Sequence, residues 1–265
     1  MSSAAEESRL SALDRVLDEQ QPVSTLAGEL FAVVDAIEGQ PALRRSLTDP
    51  GLPEEQRKAL ARQLLTDRIS PAAVWVVEQA VGMRWSGGRS LISAVERQGV
   101  RAELRAAQQN GQLDNVEDEL FRFGRAVVGD QHLSEALRDR RSEVDARQGL
   151  VTRLLDGKAH EATVVLARRA VGNRGGSYVD TVEGYLALAA DLRRRGLATV
   201  RVARPLTPEQ HERLRAALSR QVGREVAMHV VVDPDVLGGV RVELGDEVIE
   251  GTVAGRLDDA RRRIH

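Results

Sequence analysis

Residues 29–84 and 119–174 of this 265-residue chain align at a fixed offset of 90, without a single gap. Identities fall at Glu29/Glu119, Leu30/Leu120, Phe31/Phe121, Ala36/Ala126, Gly39/Gly129, Leu43/Leu133, Leu47/Leu137 and Asp49/Asp139. They continue at Arg57/Arg147, Leu60/Leu150, Leu64/Leu154, Leu65/Leu155, Ala72/Ala162, Val74/Val164, Ala80/Ala170, Val81/Val171, Gly82/Gly172 and Arg84/Arg174. Two unrelated leucine-rich hairpins would share composition but would not hold one register across five predicted helices. The segment is therefore an internal duplication, and matching leucines mark matching core positions.

Within each copy the apolar spacing is helical. Leu10, Leu13 and Leu17 start a first helix, and Leu26, Leu30, Val33 or Val34 and Ile37 a second. Pro41 and Pro53 sit where a helix would begin, at a first position whose missing amide costs nothing. Ser70-Pro71 repeats that pattern, and Ser86-Gly87-Gly88 breaks the chain before a long run from Arg89 to about Ala107. Counting helices leaves that run able to close copy one or to open copy two. We expect it to bridge both as a rigid connection, which a break near Gly99 would refute.

After Arg193-Arg194-Arg195-Gly196 the texture changes to short β-branched runs. Thr199–Ala203 reads as a strand with Val200 and Val202 on one face. Thr207 and Gln210 form a capping-box pattern ahead of Leu214, Leu218 and Val222. Val226, Met228, Val230 and Val232 alternate in the next strand, and Val240, Val242 and Leu244 in another. Pro234 fixes φ and turns its neighbour away from helix. Gly238-Gly239 supplies two permissive positions, Gly245-Asp246 a tight turn before Val248-Ile249, and Gly251 a break before a last helix capped by Thr252. The fold class is thus mostly α: two tandem helical-bundle repeats, then a small β-α-β-β-β-α domain. The expected division is 1–88, 89–196 and 197–265.

Apolar residues make up 42% of the chain but aromatic ones only 3%, so the cores must be built from Leu, Val and Ala, which favours bundles. With no cysteine, disulfides, thiolate metal sites and cysteine nucleophiles are excluded together. A formal net charge of -2 gives no general nucleic-acid footprint. No apolar run approaches the roughly 20 residues needed to span a bilayer.

The search for chemistry is short. Neither GxxxxGK[ST] nor GxGxxG is present, and Gly238-Gly239 is followed by a strand rather than by a phosphate-binding helix. His132, His160, His211, His229 and His265 lack metal-ligand spacing. Glu54-Glu55 in a first helical turn suits the helix dipole, as do Arg193–Arg195 and Arg261–Arg263 near helix C-termini. Trp75, in an apolar helix, reads as core, whereas Trp85 beside Ser86-Gly87-Gly88 is open to two readings, a local packing residue or a partly exposed anchor for a partner.

One stretch carries a resemblance. DPDVLGGVRVELGDEVIEGTVAGRL, residues 233–257, resembles the C-terminal region of the delta subunit of bacterial F-type ATP synthase, the homologue of the mitochondrial oligomycin sensitivity-conferring protein. Asp233, Pro234, Leu237, Gly238, Gly239, Gly245, Asp246, Gly251 and Leu257 stand where that pattern wants them, with Glu250-Gly251-Thr252 in place of the more usual Asp-Gly-Ser. ARPLTPEQHERLRAAL (203–218) and GQLDNVEDELFRFGR (111–125) are similar to the same family, the latter to its actinobacterial members. Residues 1–88 then look like an extra copy of the family's N-terminal bundle.

The resemblance implies a stator subunit without catalytic residues, cofactor or metal. Its helical part would hold N-terminal segments of the alpha subunits and its tail the b subunit. It would be peripheral to the cytoplasmic face of the cell membrane, with no nucleic acid and no homo-oligomer. A helical adaptor or DNA-binding regulator is the alternative, against which a pI near 6.3 speaks; a small ligand-binding enzyme would need the Gly238-Gly239 loop.

Overall fold

A computed structural model describes residues 2–22, 24–139, 141–172, 176–195, 197–222, 226–233, 236, 240–244 and 247–250. Two compact units emerge, one made of Met1–Asp14 with Pro22–Asp191, the other of Arg15–Gln21 with Leu192–His265.

The first unit carries the duplication. Copy one contains α1 (Ser2–Asp18), α2 (Ser24–Gly39), α3 (Pro41–Thr48), α4 (Glu54–Leu65), α5 (Pro71–Gly82) and α6 (Gly88–Gln109). Copy two continues with α7 (Leu113–Gly129), α8 (Gln131–Arg138), α9 (Val144–Leu155), α10 (Glu161–Gly172) and α11 (Tyr178–Arg195). Adding 90 to the bounds of α3, α4 and α5 gives those of α8, α9 and α10, and Gly88 of α6 maps onto Tyr178 of α11. The same shift carries α1 into α6, with identities at Ser3/Ser93, Ala4/Ala94, Glu6/Glu96, Ala12/Ala102 and Arg15/Arg105. The helix α6 therefore stands in the last place of copy one and in the first place of copy two.

Its surroundings explain how one helix serves twice. From Gln98 to Ala107 every residue of α6 is buried, so the helix has no solvent face there. It packs against α2, α3 and α5 of copy one and α7 and α10 of copy two. The helix runs unbroken through Gly99, as the rigid-bridge expectation requires. That glycine has a reason: a Cβ built on it would lie 2.5 Å from Cε1 of Phe31.

Local details recur between the copies. Glu29 accepts from the Ser70 amide (3.0 Å), and its repeat mate Glu119 accepts from the His160 amide (2.8 Å), so one conserved position of the duplication satisfies the N-terminus of α5 and of α10. The turn after α4 places Asp67 at φ 65°, and the turn after α9 places Gly157 at φ 66°. Arg57 donates to the carbonyls of Leu52, Val81 and Gly82, closing the end of α5, while Arg147 donates to Leu137. Ser70 caps α5 through Ala73, with Pro71 at the first helical position. Pro53, by contrast, is the N-cap of α4 and not its first residue.

In the second unit β1 (Leu197–Val202), α12 (Pro208–Val222), β2 (Ala227–Val232), β3 (Val240–Leu244) and β4 (Glu247–Glu250) follow in order. The sheet order is β2-β1-β3-β4, with β1 parallel to β2 and antiparallel to β3. A parallel β1–β2 pair needs a crossover, and α12 supplies it. The alternation read from the sequence builds the core: Val200, Val202, Leu218, Val226, Met228 and Val242 are buried together, with Leu206, Leu214, Val230 and Val240 against them. Val232 ends the alternation half exposed. The capping box forms as expected, Gln210 Oε1 accepting from the Thr207 amide (2.9 Å) and Thr207 Oγ1 from the Gln210 amide (3.3 Å). The expected last helix from Thr252 lies outside the described residues.

Candidate functional site

Of the nine signature positions within residues 233–257, Asp233 is described. Its amide donates to the Val202 carbonyl (2.8 Å), its own carbonyl accepts from Val236, and its carboxylate lies 3.8 Å from Arg201. It therefore ties the end of β2 to the end of β1, which is a structural task. Pro234, Leu237, Gly238, Gly239, Gly245, Asp246, Gly251 and Leu257 lie outside the described residues. Leu244 pairs with Glu247 on either side of Gly245 and Asp246.

Charged groups in the helical unit join helices to one another. Asp14 of α1, 1% exposed, accepts from Arg97 (2.7 Å) and Gln98 (2.8 Å) and lies 3.4 Å from the buried Arg101. Burial alone would raise its pKa, but Arg97, Arg101 and Gln98 outweigh it and hold the carboxyl below the ordinary range. A second group spans the two copies. Arg169 of α10 donates to Glu96 of α6 (2.6 Å) and to Asp35 of α2 (2.7 Å), and its guanidinium stands 4.8 Å from the Phe31 ring centroid. Sequence spacing gave no warning of this link, because it joins residues 134 apart in the chain.

Neither cluster includes a serine, threonine or histidine, the side chains from which a nucleophile and its base are most often built. Among the described residues no group of His, Asp and Glu is placed to hold a metal ion. None of the helices is long and apolar enough to cross a membrane, again among the described residues.

One of the two tryptophans departs from expectation and the other is partly exposed as read. Trp75 is 43% exposed, so it is not core: its helix α5 buries Val74, Val76 and Val77 and leaves position 75 on the outer side. Trp85 is half-buried, its indole N–H donating to the Ala80 carbonyl (2.7 Å) with Arg9 over the ring at 5.8 Å. Other large apolar side chains at the surface of this unit are Phe121 (55% exposed), Val128 and Val144, all in copy two.

What remains is a scaffold with surfaces, and comparison with known proteins says which one. The profile of the family described as ATP synthase delta (OSCP) subunit matches residues 95–264. The chain belongs to the ATP synthase delta (OSCP) subunit family. Similar delta-family relatives are the "ATP synthase subunit delta" of Parafrankia sp., 46% identical over 91% of this chain and 86% of that one, and of Kineococcus radiotolerans, 42% identical over 96% and 95%. That of Streptomyces coelicolor is 44% identical over 91% and 88%. The family profile begins inside α6 and so covers copy two and the sheet unit, whereas these relatives align across copy one as well. The doubled bundle is thus shared by actinobacterial members of the delta family. The role of such a subunit is structural and not catalytic, in keeping with a fold whose buried charges are spent on holding helices together.

Proposed function

We propose that this chain is a stator subunit of the proton-translocating F-type ATP synthase, bound at the cytoplasmic face of the membrane through the rest of the complex. In this reading the helical unit grips N-terminal segments of the alpha subunits and the sheet unit grips the b subunit, so the catalytic head cannot turn with the rotor. The division of labour follows 1–88 and 89–196 for the two bundles and 197–265 for the tail, with copy one extending the grip or the reach of copy two. The observation that carries it is the continuous family match across copy two and the tail, two kinds of unit offering two surfaces. A bundle groove suits an amphipathic helix. Resistance to torque suits helices cross-tied by Asp14–Arg97 and Arg169–Glu96 pairs.

The test uses the full chain in the assembled synthase. Photoreactive residues placed one at a time on the helical unit and on β2 are cross-linked, and the products are sequenced. Helical positions reaching alpha and sheet positions reaching b support the assignment; sheet positions reaching alpha, with none reaching b, overturn it.

A further inference from the structure

The duplication supplies its own template for a missing contact. In copy one the flank of α2 is covered: Phe31 is 7% exposed, packed against Gly99, with Arg169 of α10 above its ring and bonded to Asp35. The cover on copy one is thus provided by copy two. Copy two has no third copy after it, and the equivalent flank of α7 is open. There Phe121 replaces Phe31 and is 55% exposed, Arg125 replaces Asp35, and Val128 replaces Glu38 and is 54% exposed. These three residues, spaced i, i+4 and i+7, form one stripe.

Two details show that the flank has been altered and not merely left bare. Where copy one has Gly99, copy two has the fully buried Ala189, and a Cβ at this repeat position is what the seat of Phe31 on Gly99 does not tolerate. Phe121 therefore stands outward. The charge beside it is also reversed, from Asp35 to Arg125. Neighbouring Arg122 is matched by Asp118 at 2.7 Å, whereas Arg125 has no ion pair or hydrogen bond among the described residues.

We infer that the α7 flank of Phe121, Arg125 and Val128 is a docking stripe for an amphipathic helix of another protein. That helix presents a carboxylate to Arg125 and aliphatic side chains to Phe121 and Val128. Charge selects this occupant. The helix that covers copy one offers arginine to an aspartate; the same helix from a second copy of this chain would bring Arg169 against Arg125 and be repelled. The inference stands apart from the assignment of alpha and b, since it fixes the chemistry of the occupant and not its name.

The experiment places a photoreactive phenylalanine analogue at position 121 of the full chain in the purified synthase. The expected product joins position 121 to a helical segment of a different subunit with Asp or Glu within one turn of the joined residue. Arg125→Glu lowers the yield at least tenfold, and Arg141→Glu, in an exposed turn, leaves it unchanged. If Arg125→Glu lowers the thermal midpoint of the free chain, Arg125→Gln replaces it, with a several-fold loss expected. A product joining two copies of this chain, a joined segment without a nearby carboxylate, the absence of any product, or a yield indifferent to Arg125 overturns the inference. Alpha and b could exchange places in the functional assignment without altering any of these outcomes.

Discussion

Substituting Gly99 by alanine sets two well-known effects against each other. An interior helical glycine replaced by alanine ordinarily gains about 1 kcal/mol from backbone entropy. Here the added Cβ would lie 2.5, 2.7 and 3.2 Å from Cε1, Cδ1 and Cζ of Phe31, so the ring cannot keep its seat. Overpacking of this kind costs about 1–3 kcal/mol. A displaced ring also leaves the Arg169 guanidinium now 4.8 Å away, worth roughly 0.5–1 kcal/mol. Taking the middle of each range, Gly99→Ala should destabilise the helical unit by about 1.75 kcal/mol, a fall in thermal midpoint of roughly 3.5–7 °C for a unit of this size. Circular dichroism melts of the full chain measure it. Phe31→Leu in the same background should recover part of the loss, with a coupling energy beyond about 0.5 kcal/mol. An unchanged or higher midpoint for Gly99→Ala would refute the idea that Phe31 is seated on α6 because position 99 lacks a side chain.

Arg57→Ala should cost about 3 kcal/mol in urea unfolding, since it removes three hydrogen bonds to carbonyls and strands those of Val81 and Gly82. Burial first, and then the nearby Glu161, raise the Glu103 carboxyl to about 7. The folded state therefore holds that proton more tightly than the unfolded chain, and the wild type loses stability as pH climbs from about 4.5 to 7. Glu103→Gln should be more stable than wild type by about 1–3 kcal/mol at pH 8 and equal to it below about pH 4; a pH-independent difference would contradict this. Tyr178 is 6% exposed, and its hydroxyl has no hydrogen-bond partner among the described residues, so Tyr178→Phe should be neutral or stabilising by up to about 1 kcal/mol in the same melts.

Local rules and repetition made much of the architecture legible in advance. The gapless offset of 90 foretold helices of matching bounds, and the caps at Ser70 and Thr207 formed where hydroxyl and spacing indicated. Alternating valines marked the buried face of the sheet. What escaped were properties fixed by pairs of distant side chains. Trp75 sits in an apolar helix, yet periodicity alone did not identify its side as the outer one. Asp67 takes the left-handed conformation that Gly157 takes in the other copy, a parallel visible only once the turns are superposed. The Arg169–Asp35 bond and the seat of Phe31 on Gly99 depend on how one copy lies on the other. The residues most diagnostic of the family, meanwhile, were read for identity from their pattern, and the one of them that is described, Asp233, fastens one strand end to another.

Sharing α6 also sets an arithmetic for growth. Two separate six-helix bundles would need twelve helices, but α1–α11 suffice because the last helix of one copy is the first of the next. Each added copy therefore brings five helices, not six, and a chain of n copies has 5n + 1. Lengthening or shortening such a subunit is quantised: an insertion of one whole period leaves every helix with both of its neighbours, whereas any fraction of a period leaves a helix like α6 with one side unclothed. A family built this way can change its reach only in steps of a full repeat.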